Sequence, residues 1–113
     1  MLGVALLSMN NETLKGHLDF LLLAVLSNGA AHGYAVIESL RQRSGGHFDL
    51  PEGTIYPALH RLEEQGLLKS RWDETAPRRR KVYSLTAKGQ QSLSKRQAEW
   101  AAFSRAINAT AGI

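Results

Sequence analysis

Arg78, Arg79, Arg80 and Lys81 stand in one unbroken run, with Pro77 before it and Val82-Tyr83 after it. A guanidinium carries forked N–H donors that match phosphate oxygens, or base edges in a narrow minor groove. Upstream, Thr54, Tyr56, Pro57, His60 and Arg61 fall between the apolar positions Ile55, Leu59 and Leu62. Thr and Arg can meet base edges or phosphates, and Tyr and Pro can touch thymine methyls and sugars. Tyr34 follows the start of HGYAVIESL (His32–Leu40). Its hydroxyl fits two readings equally, a phosphate contact at a helix N-terminus or the rim of a core. The chemistry these side chains share is recognition of a polyanion.

Bond-making chemistry has no comparable support. His17-x-Asp19 and His47-x-Asp49 pair the right residue types, but a spacing of two puts partners on different faces of a helix. The four histidines are separated by fifteen, fifteen and thirteen positions. No Gly-rich phosphate loop, nucleophile elbow or HExxH occurs. No catalytic residue, metal-ligand set or cofactor is therefore expected.

The totals agree. The chain has 113 residues and a net charge of +4, with a pI near 9.8. Nine of the fourteen Lys and Arg residues lie between Lys69 and Arg96, opposed there only by Asp73 and Glu74. A concentrated basic surface suits nucleic acid. Cysteine is absent, which fits a reducing cytoplasm and excludes a disulfide framework or a Cys-based zinc site. A chain of this size buries only about 60–70% of its unfolded surface, so a partner subunit would help. The start, MLGVALLSMNNET, is apolar up to Met9. It lacks a basic region and cleavage site, so it is not read as a signal peptide, and it is too short to span a bilayer. Residues 1–8 read as an upstream extension, with Met9 as a second start.

The elements that must position these residues follow from periodicity. Leu14, Leu18, Leu21, Leu22 and Val25 predict a helix from Glu12 to Leu26, stopped by Asn28-Gly29. Tyr34, Val36, Ile37 and Leu40 predict a second over Gly33–Arg43, broken by Ser44-Gly45-Gly46. Ile55, Leu59 and Leu62 make the apolar stripe of a third, with Pro51 expected at its first position and Gly66 as its left-handed stop. Pro57 deletes the bond to the Gly53 carbonyl, so a slight bend or a late start is expected. Glu63 and Glu64 lie further along and are expected away from phosphate. Leu68–Trp72 and Val82–Leu85 read as two strands, with Tyr83 and Leu85 on one face and Asp73–Arg80 as their turn. Thr86 caps a last helix, where Leu93, Trp100 and Ile107 recur every seven residues with Phe103 beside them.

The expected fold is mainly α with a small β-hairpin: a winged helix-turn-helix with a C-terminal dimerisation helix. The domains follow as an N-terminal extension over 1–11, a DNA-binding unit over 12–86 and a dimerisation helix over 87–113. The contacts expected at double-stranded DNA are Tyr34, Thr54, Tyr56, Pro57, His60, Arg61, Arg78, Arg79, Arg80 and Lys81. Leu93, Trp100, Phe103 and Ile107 are expected to be covered by a second copy.

In this order, LKGHLDFLLLAVL, HGYAVIESL, EGTIYPALHRLEEQGLL and PRRRKVYSLTAKG resemble the PadR-like transcriptional regulators. The likeness runs from about Leu14 to Phe103, with TIYPALHRLEEQGLL its most specific stretch. It implies a winged-helix homodimer that represses transcription, of the short branch with a single C-terminal helix. One departure is Ala76-Pro77-Arg78 in the wing, where many members carry a glycine; a stiffer tip is expected. In some short members a Trp on the last helix stacks on flat ligands at an open dimer interface, and Trp100 matches that position. The resemblance thus adds a small aromatic effector held by Trp100, Phe103, Leu14 and Phe20, beside the plainer reading of Trp100 as a dimer-core residue. The competing function is a winged-helix protein-interaction module without direct DNA readout.

Overall fold

The computed structural model describes Leu14, residues 16–75 and residues 77–113. The expected N-terminal extension, the helix start at Glu12 and Ala76 lie outside the described residues. In chain order the elements are α1 (Leu18–Leu26), β1 (Ala31–His32), α2 (Gly33–Arg43), α3 (Glu52–Glu64), β2 (Leu68–Asp73), β3 (Arg80–Leu85) and α4 (Ala87–Ala111).

The nearly all-apolar α1 is the central layer. Leu18, Leu22, Leu23, Val25 and Leu26 are buried against Val36, Ile37 and Leu40 of α2 and Ile55, Ala58, Leu59 and Leu62 of α3. The helix that the sequence predicted to run unbroken to Leu26 is interrupted by a turn at Gly16-His17. Glycine is the weakest helix former after proline, which favours a break at Gly16. The second helix has its predicted bounds, with the His32 side chain accepting from the Ala35 N–H at its start.

The third helix departs from expectation at both prolines. Pro51 is the cap rather than the first helical residue, at φ −78° and ψ 162°. A ring-fixed φ suits either position, and only ψ separates them. With the helix already formed at Glu52, Pro57 causes no late start. Its lost backbone bond falls on exposed Gly53 in the first turn, where the carbonyl is open to solvent. Gly66, at φ 78°, ends the helix, and the Leu67 N–H reaches back to the Leu62 carbonyl at 3.0 Å.

The hairpin pairs Leu68 with Leu85 through to Asp73 with Arg80, so both strands run longer than predicted and the turn is shorter. It also gains a strand. Ala31 and His32 pair with Tyr83 and Val82, giving a three-stranded sheet with β3 in the middle. Tyr83 joins the core, and Val82 on the opposite side of the strand is buried too.

Thr86 latches the hairpin and α4 to the end of α3. Its hydroxyl accepts from the Gly89 N–H at 3.0 Å and donates to the Gly66 carbonyl at 2.7 Å. Lys88 donates to the Gln65 carbonyl at 2.9 Å. Beyond this dock α4 buries only Gly89 and Leu93. Leu93 was expected under a partner subunit, but it is 1% exposed within the single chain and belongs to the chain's own core. A spacing of seven marks one helix face; it does not say who covers each turn of it.

Candidate nucleic-acid interface

The α2 N-terminus, the outer side of α3 and the two wing strands enclose a groove of about 290 Å³, lined by His32, Gly33, Tyr34, Tyr56, His60, Trp72, Arg79, Arg80, Lys81 and Tyr83. Distant segments meet here for local reasons. Strand β1 hands the chain straight into α2, so His32 and Tyr34 sit beside β3. Gly33 then lets α3 approach. A Cβ at Gly33 would stand 2.4 Å from the Tyr56 ring, so only glycine admits that ring. Tyr56 is consequently half-buried and packs against the core, while one edge still lines the groove. It is both a packing residue and a groove residue.

Of the residues expected at DNA, Tyr34, Tyr56, His60, Arg79, Arg80 and Lys81 come together in this groove. Thr54, Pro57, Arg61 and Arg78 do not line it. Pro57 and Arg78 are exposed and Thr54 is half-buried. Arg61 lies outside the groove, and its Nη2 bonds Asp19 Oδ1 of α1 at 2.5 Å. Its partner lies 42 positions away, a pairing that no local pattern announces. Arg61 therefore clamps α3 to α1.

The wing cations are also partnered. Arg79 Nε lies 2.8 Å from Glu74 Oε1, and Lys81 Nζ lies 3.7 Å from Glu63 Oε1. Glu63, expected away from phosphate, thus pairs with the wing; it also accepts from the Ser70 hydroxyl. Arg80 has no ion-pair partner among the described residues. At the start of the turn, the Thr75 hydroxyl and N–H both donate to Asp73 Oδ1. These bonds hold the Asp73 carboxyl below the usual carboxylate range, so it stays ionised and keeps the turn closed. Burial pushes the Tyr83 phenol above its ordinary value, leaving a neutral hydroxyl at the groove floor.

Trp72 was not read as a site residue. It pairs across the hairpin with Lys81, and the Arg79 guanidinium carbon stands 4.2 Å from its ring centroid. The available signal was the alternation of Leu68, Ser70 and Trp72 with basic residues, which placed Trp72 on one strand face without showing what that face met.

The second aromatic group lies on α4. Trp100, Phe103 and Ile107 are 44%, 56% and 44% exposed. His17 meets the Trp100 ring edge-on at 5.3 Å, and Phe103 lies 6.0 Å from it. Phe20 is instead beneath the Arg96 guanidinium, at 6.0 Å, and Leu14 is half-buried. A shallow hollow further along α4 is formed by Ala106, Ile107, Thr110 and Ala111.

Helices packed around α1, with a basic hairpin after α3, define a winged helix-turn-helix protein. The model of the transcriptional regulator PadR-like family matches residues 22–95. A PadR family transcriptional regulator from Eggerthella lenta superposes with a TM-score of 0.79 at 34% identity, covering 91% of this chain and 88% of that one. One from Clostridium difficile gives 0.76 at 32% identity, covering 83% and 97%. The Escherichia coli transcriptional regulator YqjI is 34% identical over 80 residues, which are 71% of this chain and 37% of that protein. The chain belongs to the PadR-like family of transcriptional regulators, and it is not an enzyme. No helix among the described residues is long and apolar enough to cross a membrane.

Proposed function

We propose that this chain is a homodimeric, sequence-specific DNA-binding repressor that sets the groove between α3 and the wing against a duplex. The observation that carries this reading is the groove itself. Six side chains picked from sequence for DNA chemistry converge there, and three are adjacent wing cations. In this reading Arg79, Arg80 and Lys81 take phosphates, and Tyr34, Tyr56 and His60 face the major groove. Residues 12–86 form the DNA-binding unit and 87–113 the dimerisation helix. The compartment is the cytoplasm, where the operator is.

The dimer rests on the exposed face of α4. Covering Trp100, Phe103 and Ile107, each already about half covered within the chain, contributes about 0.7–1.5 kcal/mol per side chain before association entropy. Leu93 takes no part, being already covered. The same face supports a second element of the proposal, relief of repression by a small aromatic molecule. Trp100 shows much of its ring to solvent between His17 and Phe103, so a flat guest could stack on it between two subunits. To act as an inducer, such a guest must bind the DNA-free and DNA-bound states with different affinities.

Phe103→Asp tests the dimer. Phe103 is exposed in the single chain, so the variant should keep its helical circular dichroism, become a monomer by light scattering, and lose most of its affinity for the duplex upstream of its own gene. A variant that remains dimeric removes α4 from the interface.

A further inference from the structure

We propose that Trp72 is a positioning residue for the wing. Its indole face holds the Arg79 guanidinium over the groove, and Glu74 occupies that guanidinium until a phosphate displaces it. The proposal rests on the DNA-binding reading above and concerns how the wing delivers its charge.

Trp72 is 47% exposed and is not among the residues packed on the hydrophobic core, so core packing does not account for it. What its ring touches is charge. Arg79 Cζ stands 4.2 Å above its centroid, and Lys81 Nζ, on the cross-strand partner, lies at 5.9 Å. A guanidinium held over a ring face can still use its edge N–H donors for hydrogen bonds. One of those edges, Nε, is taken by Glu74 at 2.8 Å. The side chain is therefore already ordered on the indole, and an exposed carboxylate stands where an anion would bind. A phosphate carries comparable oxygens and brings the release of its own counterions. Exchange of Glu74 for phosphate then needs little movement of Arg79. Trp72 raises affinity by ordering the cation in advance; Glu74 lowers it by competing.

The test uses the full chain and a duplex of its own upstream sequence, read by fluorescence anisotropy. Trp72→Leu should weaken binding roughly two- to fivefold per wing. Trp72→Phe, which keeps a π face, should recover most of that loss. Glu74→Gln should tighten binding roughly two- to fivefold. Arg79→Ala should cost less in the Trp72→Leu background than in wild type, the signature of coupled residues. Equal affinities for the Leu and Phe variants, or strictly additive losses with Arg79→Ala, would overturn the platform. A weaker Glu74→Gln complex would overturn the competition. A readout without DNA separates this proposal from its premise: the Arg79 Nε–H proton should be displaced by the indole ring current in wild type and return to an ordinary position in Trp72→Leu. Absence of that displacement refutes the stacking itself. A wild-type chain that shows the displacement but does not bind the duplex refutes the DNA reading and, with it, the role given to Trp72.

Discussion

Replacing Arg79 and Lys81 together by alanine should lower DNA affinity roughly tenfold to a hundredfold per wing, on cognate and unrelated duplexes alike. A hydrogen bond to a charged group contributes about 1.5–3 kcal/mol when fully formed. The contribution here falls below that range, at about 0.7–1.4 kcal/mol per cation, because both cations are partly exposed and already hold carboxylates in the free chain. A second effect adds to the loss. Without their cations, Glu74 and Glu63 remain at the groove rim and repel phosphate. The salt dependence carries the diagnosis. The log–log slope should become shallower by about one for each phosphate contact removed. Loss of affinity with an unchanged slope would mean that the two residues hold the wing's shape and do not meet phosphate.

The largest effect on stability should come from Gly89→Ala. A Cβ at that position would stand 2.1 Å from the Leu67 carbonyl oxygen, 3.1 Å from its carbon and 3.3 Å from Leu85 Cδ2. The first obstacle is backbone within the turn that ends α3, so it cannot swing aside as a side chain would. The start of α4 would have to withdraw. That movement would pull on the Thr86 hydroxyl, which caps Gly89 and bonds Gly66, and on the Thr86 N–H bond to the Leu67 carbonyl at 3.1 Å. Alanine gains about 1 kcal/mol over glycine in helix propensity. Overpacking commonly costs about 1–3 kcal/mol and more where nothing yields. A net loss of about 2–3 kcal/mol is expected, a fall of roughly 10 °C or more in melting temperature for a domain of this size. A rise in melting temperature would mean that α4 does not dock closely on Leu67.

The local signals in the sequence were strong where one residue type does one job. Gly33–Arg43 was legible to the residue because a β-turn of glycines follows a regular apolar repeat. Gly66 and Thr86 were legible because a left-handed stop and an N-cap are local requirements. The hairpin and α3 followed from element order and apolar spacing. Other features depend on what meets what across the fold. A two-residue strand has no period to read, so Ala31-His32 was invisible until β3 lay beside it. The ion pair of Arg61 could not be read from the sequence, because its partner, Asp19, is on another helix. Leu93 looked like part of a dimer seam because helical spacing is the same for a core turn and an interface turn. Trp72 gained a role only through the register that sets it against Lys81 and beneath Arg79.

The central claim, that the groove between α3 and the wing is the DNA surface, is tested most directly by an amide and side-chain NMR titration. The full chain would be titrated with a duplex from upstream of its own gene, at physiological ionic strength. The shifts should concentrate at His32–Tyr34, Tyr56, His60, Trp72 and Arg79–Lys81, with α4 beyond Leu93 little changed. Shifts confined to the Trp100–Ile107 face, or none at saturating duplex, would contradict it.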